Sequence, residues 1–386
     1  MKKKKYFLLI LPILFILLLS TQCSKEDVPP IVPTTGYNWP DQDRTYWPTD
    51  GWMTAPMEDH RIDPVKMNKA NEFAKNDRFS RALLVVKDGY LVFENYYHGG
   101  AAEKSSNLWS VTKSVSSALV GIVKDDREIS STNQFMTDFM PQYPDFNNIT
   151  LHHALTQTTG LDWDEQGPPW VEWIFSDDWV QHALDRGFDV PPGKRWKYSS
   201  GNSHFLTSLV YYHTGAVPGT LAKERLFEPM GIEFNEYTEP FDYFDWNQFR
   251  EPLHQTWRRD PKGVECAGFG LYLTARDMAK FGYLYLNRGR WDNEQLISEN
   301  WVLDSTKEHE TDIYGRYSYG YQWYITLVDG HPAFLASGWG GQIIGVVPSL
   351  DLVVVLKYEA VYPQHPVPGT SHDDMGLFDL VVQAVN

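Results

Sequence analysis

The sequence has only two cysteines, Cys23 and Cys266, among 386 residues. A disulfide framework is excluded, so stability must come from a hydrophobic core. Long apolar runs are equally scarce. The longest, from Tyr6 to Leu19, is interrupted by Pro12 and falls short of the roughly 20 residues a membrane-spanning helix needs. No run of like charge is longer than Lys2 to Lys5, so the acidity is dispersed over a solvated surface. Gly-x-Ser-x-Gly and His-Glu-x-x-His are both missing, which removes the nucleophile elbow and the zinc-protease helix. His152 and His153 are adjacent and would point to different sides of a helix. No metal or organic cofactor is therefore expected. With 34 Lys and Arg against 50 Asp and Glu, the formal charge is -16, and nucleic acid is not an expected partner.

What is present is ordinary globular material, 42% hydrophobic and 22% charged, with a surplus of aromatics: 15 Trp, 22 Tyr and 20 Phe. The length allows one domain with a large insertion or two domains. Residues 1–22 have a basic start and a short apolar core, the pattern of a secretory leader. Cys23 follows directly, in a context resembling the cleavage and lipidation site of bacterial lipoproteins. The expectation is an exported protein of the bacterial cell envelope, lipid-anchored through Cys23. Residues 23–50 are polar and rich in proline, and read as a tether to a domain over 51–386. Cys266 reads as a small buried hydrophobe.

Within the domain, Asp63-Pro64 opens a helix over about 64–76. Arg81 to Lys87 and Tyr90 to Tyr97 form a hairpin about Asp88-Gly89, a pair suited to positive φ at both turn positions. From about 114 to 285 apolar residues recur at helical spacing, as in Val115 to Val123, Phe205 to Tyr212 and Met278 to Leu286. Strands return at Tyr321 to Val328, Ala333 to Ala336, Gln342 to Val347 and Leu352 to Tyr358, and Ser371 with Asp374 forms a cap for a last helix. The fold class is α+β: an antiparallel sheet, about 60–113 and 286–386, flanked by terminal helices, with a helical region over about 114–285 inserted.

Three segments carry candidate chemistry. Ser110-Val111-Thr112-Lys113 is the one Ser-x-x-Lys in the chain, and three-residue spacing at the head of a helix puts hydroxyl and amine on one face. The positive helix end favours a neutral lysine that can accept the serine proton. Tyr198-Ser199-Ser200-Gly201-Asn202 follows a Pro-Gly loop that could present a phenol of lowered pKa beside a lysine. Ser337 to Gln342, containing Trp339-Gly340-Gly341, opens a strand whose backbone a ligand could approach closely. Trp170, Trp173 and Trp179 either line a cleft or hold the helical region together, and Asp162 to Glu165 reads as a solvated acidic loop.

Together these segments resemble the serine β-lactamase-like hydrolases: class C β-lactamases, D-alanyl-D-alanine carboxypeptidases, esterases and 6-aminohexanoate-dimer hydrolases. The resemblance covers about residues 60–385. Ile149 to Thr156 with Thr159-Gly160-Leu161, and Gly270 to Gly282, add to it. It implies a β-lactamase/transpeptidase-like fold, Ser110 as nucleophile, Lys113 as its activating partner and Tyr198 as general base and acid. It also implies an oxyanion hole from the amides of Ser110 and Gln342, with Trp339-Gly340-Gly341 at the place of the family's Lys-Thr-Gly. Trp339 departs from the lysine that binds a substrate carboxylate, and Ser200 stands where many relatives have asparagine. Both departures resemble the esterase and amide-hydrolase branch, with a small ester, amide or short peptide as substrate. β-Lactam or D-Ala-D-Ala cleavage is the alternative, and a non-catalytic envelope binding protein on the same fold is the rival from another class.

Overall fold

The computed structural model describes residues 36–41, 43–146, 148–237, 254–360 and 374–385, all within one compact unit, Ile31–Asn386. The expected leader, Cys23, the tether up to residue 35 and Ser371 of the expected cap lie outside the described residues.

The first helix, α1 (Pro64–Asn76), starts where the sequence predicts, with the Asp63 carboxylate accepting from the amides of Val65 and Lys66. Strands β1 (Ser80–Lys87) and β2 (Tyr90–Tyr96) form the expected hairpin, and Asp88 and Gly89 have φ of 52° and 89°. Helix α2 (Thr112–Asp125) follows, then α3 (Leu151–Leu155), α4 (Pro168–Ile174), α5 (Ser200–Thr214) and α6 (Ala275–Leu286). The chain then returns to strands β3 (Glu310–Ile313), β4 (Tyr317–Tyr319), β5 (Tyr324–Val328), β6 (His331–Gly338), β7 (Gln342–Val347) and β8 (Leu352–Tyr358), and to helix α7 (Asp374–Gln383). These strands and the hairpin make one eight-stranded antiparallel sheet in the order β2-β1-β8-β7-β6-β5-β4-β3.

Both faces of this sheet are covered, which explains why β8 is an apolar run and not an alternation. Leu352, Val354 and Leu356 pack with Met67, Ala70 and Phe378 of the terminal helices. Val353 and Val355 face the other way, into the main core with α2 and α6. Helix α6 comes so close to the sheet that a Cβ on Gly282 would sit 2.7 Å from Ile344 and Val353 methyls. The inserted region is therefore less purely helical than its periodicity suggests. Its last helix belongs to the sheet layer, and a small sheet of Ser106–Asn107, Leu271–Leu273 and Thr256–Trp257 crosses it.

The tether reading needs correction after residue 35. Tyr37 donates to the Thr306 carbonyl at 2.8 Å and its ring meets Phe334. Arg44 forms a two-pronged pair with Asp351 at 2.6 and 2.8 Å and also reaches Asn287. Trp47 packs on Tyr283 and Trp291. Regular structure among the described residues of this segment is one 3-10 turn, Pro48–Asp50, and its aromatics are anchors that bury against the core.

Candidate active site

Ser110 sits in a single 3-10 turn, Trp109–Val111, that runs directly into α2. Trp109 has φ of +50°, a left-handed conformation costly for a bulky residue. It is held by neighbours. The Asn107 side chain accepts from the amides of Trp109 (2.9 Å) and Gly270 (3.0 Å), and the Leu108 amide donates to the Leu271 carbonyl. The turn leaves Ser110 partly exposed, while Lys113, one turn on, is 1% exposed.

The Lys113 amine donates to three oxygens: Ser110 Oγ at 3.0 Å, Ser200 Oγ at 3.1 Å and the Gly268 carbonyl at 2.8 Å. It also lies 4.8 Å from the centre of the Tyr198 ring. Burial pushes its pKa down to about 8, and the Glu165 carboxylate opposes that shift. Gly268 packs tightly here, since a Cβ there would press on Ser200 Cβ at 3.0 Å and Oγ at 3.1 Å.

Tyr198 is brought to the same point, with its hydroxyl in hydrogen-bonding reach of Ser110. A residue that the sequence reading passed over holds it there. Buried Gln157 takes the Lys197 amide on its carbonyl (2.9 Å) and the Ser199 amide on Oε1 (3.1 Å), gripping the chain on both sides of the tyrosine. The expectation of a lowered phenol pKa is not met. Burial raises it well above its ordinary value, and Tyr319 and Glu165 push the same way, against the hydrogen bond from Ser110.

Glu165 is the second residue missed. Asp162 and Asp164 are exposed, as a solvated loop requires, but Glu165 turns inward. Its carboxylate accepts from the Ser200 hydroxyl, from the Ser200 amide (2.8 Å) and from the Trp163 indole (2.7 Å). Trp173 and Trp179 are fully buried against each other and Phe269, so they hold the helical region together, whereas Trp170 is partly buried and touches Phe269 beside Gly268.

The Ser337–Gln342 segment meets the Ser110 turn at Gly338. The backbone that closes on Ser110 is that of Gly338, where a Cβ would lie 3.1 Å from the Ser110 amide and 2.3 Å from the Leu108 carbonyl. Gln342 is its cross-strand partner in β7, with its side-chain amide donating to the Tyr358 carbonyl at 2.6 Å. The backbone at Gly338 thus lies against the Ser110 amide, with Gln342 beside it. Gly340 and Gly341 have φ of 82° and 90° and pack on Ala360 and Tyr358, so they shape the β6–β7 turn. The Trp339 ring meets Trp109 edge-on, with centroids 4.8 Å apart, forming an aromatic wall next to Ser110.

Among the described residues no group of three or more His, Cys, Asp or Glu is placed to hold a metal ion. His153 caps α3 through the Thr150 amide, and His152 bonds the Tyr321 hydroxyl. Cys266 is buried, and burial pushes its thiol up.

A hydroxyl, a buried amine of depressed pKa and a phenol around one point form the outline of a nucleophilic acyl-transfer site. The family model described as beta-lactamase matches residues 67–371. The chain belongs to the beta-lactamase family. This beta-lactamase-family chain is 25% identical over 300 residues, 71% of each sequence, to the 6-aminohexanoate-dimer hydrolase of Paenarthrobacter ureafaciens. It shares its fold with a Bacillus anthracis protein provisionally assigned as a 6-aminohexanoate-dimer hydrolase. That match has a TM-score of 0.67 at 19% identity and covers 90% of this chain and 89% of the other. A family VIII carboxylesterase has the same fold, with TM-score 0.63 at 17% identity over 84% of this chain and 98% of the other. The family and the relatives identify a hydrolase of the β-lactamase fold.

Proposed function

We propose that this protein cleaves an ester or amide through an acyl-enzyme on Ser110, in the manner of the esterase and 6-aminohexanoate-dimer hydrolase branch. The observation that carries the reading is the 3.0 Å contact between the buried Lys113 amine and the half-open Ser110 hydroxyl. An amine with pKa near 8 is neutral in a useful fraction of molecules at physiological pH, so it can take the serine proton as Oγ bonds to the substrate carbonyl carbon. Tyr198, with its pKa raised, starts as a phenol. It gives its proton to the departing alcohol or amine and recovers one from the Lys113 ammonium, which leaves both groups neutral. Water then attacks the acyl carbon and passes its proton to Lys113, which returns it to the leaving Ser110 oxygen. The base role thus falls to Lys113, and Tyr198 serves as acid first.

The wall formed by Trp339 and Trp109 supports an apolar or aromatic acyl or leaving group over a carboxylate-bearing one. The test is fluorophosphonate labelling and turnover of a panel comprising a short ester, a linear amide, a D-amino-acid peptide and a β-lactam. Wild type is expected to label and to hydrolyse the ester or amide fastest, and Ser110→Ala to do neither. Ligand binding unchanged in Ser110→Ala, with no acylation of wild type, would instead establish a binding protein. We further propose that the protein works at the cell envelope, anchored by a lipid on Cys23. The basic and apolar leader before that cysteine supports this. Incorporation of labelled palmitate, lost in Cys23→Ser, is the expected result.

A further inference from the structure

Lys113 keeps a hydrogen-bond inventory that closes only in one way. As an ammonium it has three N–H groups, and Ser110 Oγ, Ser200 Oγ and the Gly268 carbonyl accept one each. As the neutral amine it has two N–H groups and one lone pair, and that lone pair must face a donor. The Gly268 carbonyl has no hydrogen to give. The Ser200 hydroxyl has one, and it is already directed at Glu165 Oε1. Of these three partners only the Ser110 hydroxyl is left to point at the lone pair, which is the alignment that proton abstraction requires.

We propose that Glu165 is a positioning residue that aims the Lys113 amine at Ser110, acting through the Ser200 hydroxyl. This rests on the reading of Ser110 as the nucleophile. The carboxylate is fixed for the task by two further donors, the Ser200 amide and the Trp163 indole, so both its oxygens are engaged on the Ser200 side. Ser200 itself is 1% exposed, and water is not free to replace Glu165 as its acceptor. Around this chain of contacts the other titratable neighbours are phenols: Tyr198, Tyr314 and Tyr319 all feel the Glu165 charge. Lys197, the nearest cation in sequence, is paired with Asp162 and Asp189. Among the described residues Glu165 is the charged group that acts on Lys113, and it favours the ammonium.

The role makes an unusual prediction about pairs of substitutions. In Glu165→Ala the Ser200 hydrogen is released and competes with Ser110 for the amine lone pair. The expected result is a kcat lower by about 10- to 100-fold with KM little changed. Ser200→Ala removes the competitor altogether and is expected to cost less. The double variant Glu165→Ala/Ser200→Ala is expected to be more active than Glu165→Ala alone, a rescue that damage to the fold would not give. The acid limb of the kcat profile should also move to lower pH in Glu165→Ala and in the shape-preserving Glu165→Gln, because the Lys113 ammonium loses the charge that stabilised it. Thermal melts of the four variants beside wild type report folding. A double variant no better than Glu165→Ala, or an unmoved acid limb in Glu165→Gln, overturns the proposal while leaving a labelled wild type intact. A wild type that no fluorophosphonate labels overturns the nucleophile reading and this proposal with it.

Discussion

Four lysines are buried among the described residues, Lys87, Lys113, Lys280 and Lys357, and comparing the two whose pKa values are pushed furthest down separates a perturbed group from a working one. Lys113 and Lys357 are 1% and 4% exposed, and burial pushes their pKa values down to about 8 and about 7. By that measure Lys357, in the middle of the sheet on β8, is the more unusual of the two. Its amine donates to the Leu273 carbonyl at 2.7 Å, and among the described residues no hydroxyl is hydrogen-bonded to it. Lys113 meets two hydroxyls, one of them on the partly exposed Ser110. A depressed pKa makes an amine available as a base, but only a proton donor at the mouth of a cleft gives it something to deprotonate.

The comparison is broken most directly at Lys113. Lys113→Ala removes the base, and Ser110→Ala removes the nucleophile. Each is expected to lower kcat/KM for the best ester by about 10⁴-fold or more, and the pair together little further, because they act as one unit. In wild type the rate should rise with pH through about 8 as Lys113 loses its proton, with no further rise from Tyr198, whose phenol stays protonated well above that range. A limb well below pH 7 would place the base elsewhere.

A smaller loss is expected from Gly338→Ala. The added methyl would meet the Leu108 carbonyl at 2.3 Å and the Ser110 amide at 3.1 Å, both backbone, so the end of β6 or the Ser110 turn must move. The shift displaces the nucleophile from an amine 3.0 Å away, and about a 100-fold fall in kcat is expected, with about 1–3 kcal/mol lost in stability. Circular dichroism melts beside steady-state rates check both halves. Full activity would mean that the contact between β6 and Ser110 is slack.

The sequence revealed features that local chemistry controls. The Asp88-Gly89 turn, the Asp63 cap and the apolar runs of β7 and β8 each depend on a few adjacent residues, and each appears where its pattern places it. Ser110 and Lys113 were legible for the same reason, since a one-turn spacing alone brings them together. Tyr198 required the family resemblance. Glu165 and Gln157 gave no signal, because their roles come from contacts with Ser200 and Ser199, 35 and 42 residues away. An acidic loop is solvated by default, and only the folded chain shows which of its carboxylates turns inward. The Tyr198 pKa moves opposite to the sequence expectation because burial around the phenol outweighs a lysine nearby. The segment after residue 35 departs from a tether because Tyr37 and Trp47 bury against the core despite the prolines around them.

The finest test of the comparison is Lys357→Met. If Lys357 is only a buried amine, removing its charge should leave kcat within about twofold and the acid limb unmoved. Its signature should lie in stability. An unfolded lysine keeps its proton up to its ordinary value of 10.5, whereas Lys357 in the folded protein gives it up near 7. Between those values the unfolded chain binds more protons, so wild-type stability should rise as pH increases through that window and be lowest, and flat in this respect, below it. Methionine fills similar space without a charge to bury and removes that slope. The variant should therefore gain most over wild type at pH 6–7, and the gap should narrow toward pH 10 in paired thermal melts. A gap constant with pH would mean that Lys357 keeps its proton in the fold. A displaced acid limb in the rate profile would mean that both lysines, and not Lys113 alone, set the proton supply at Ser110.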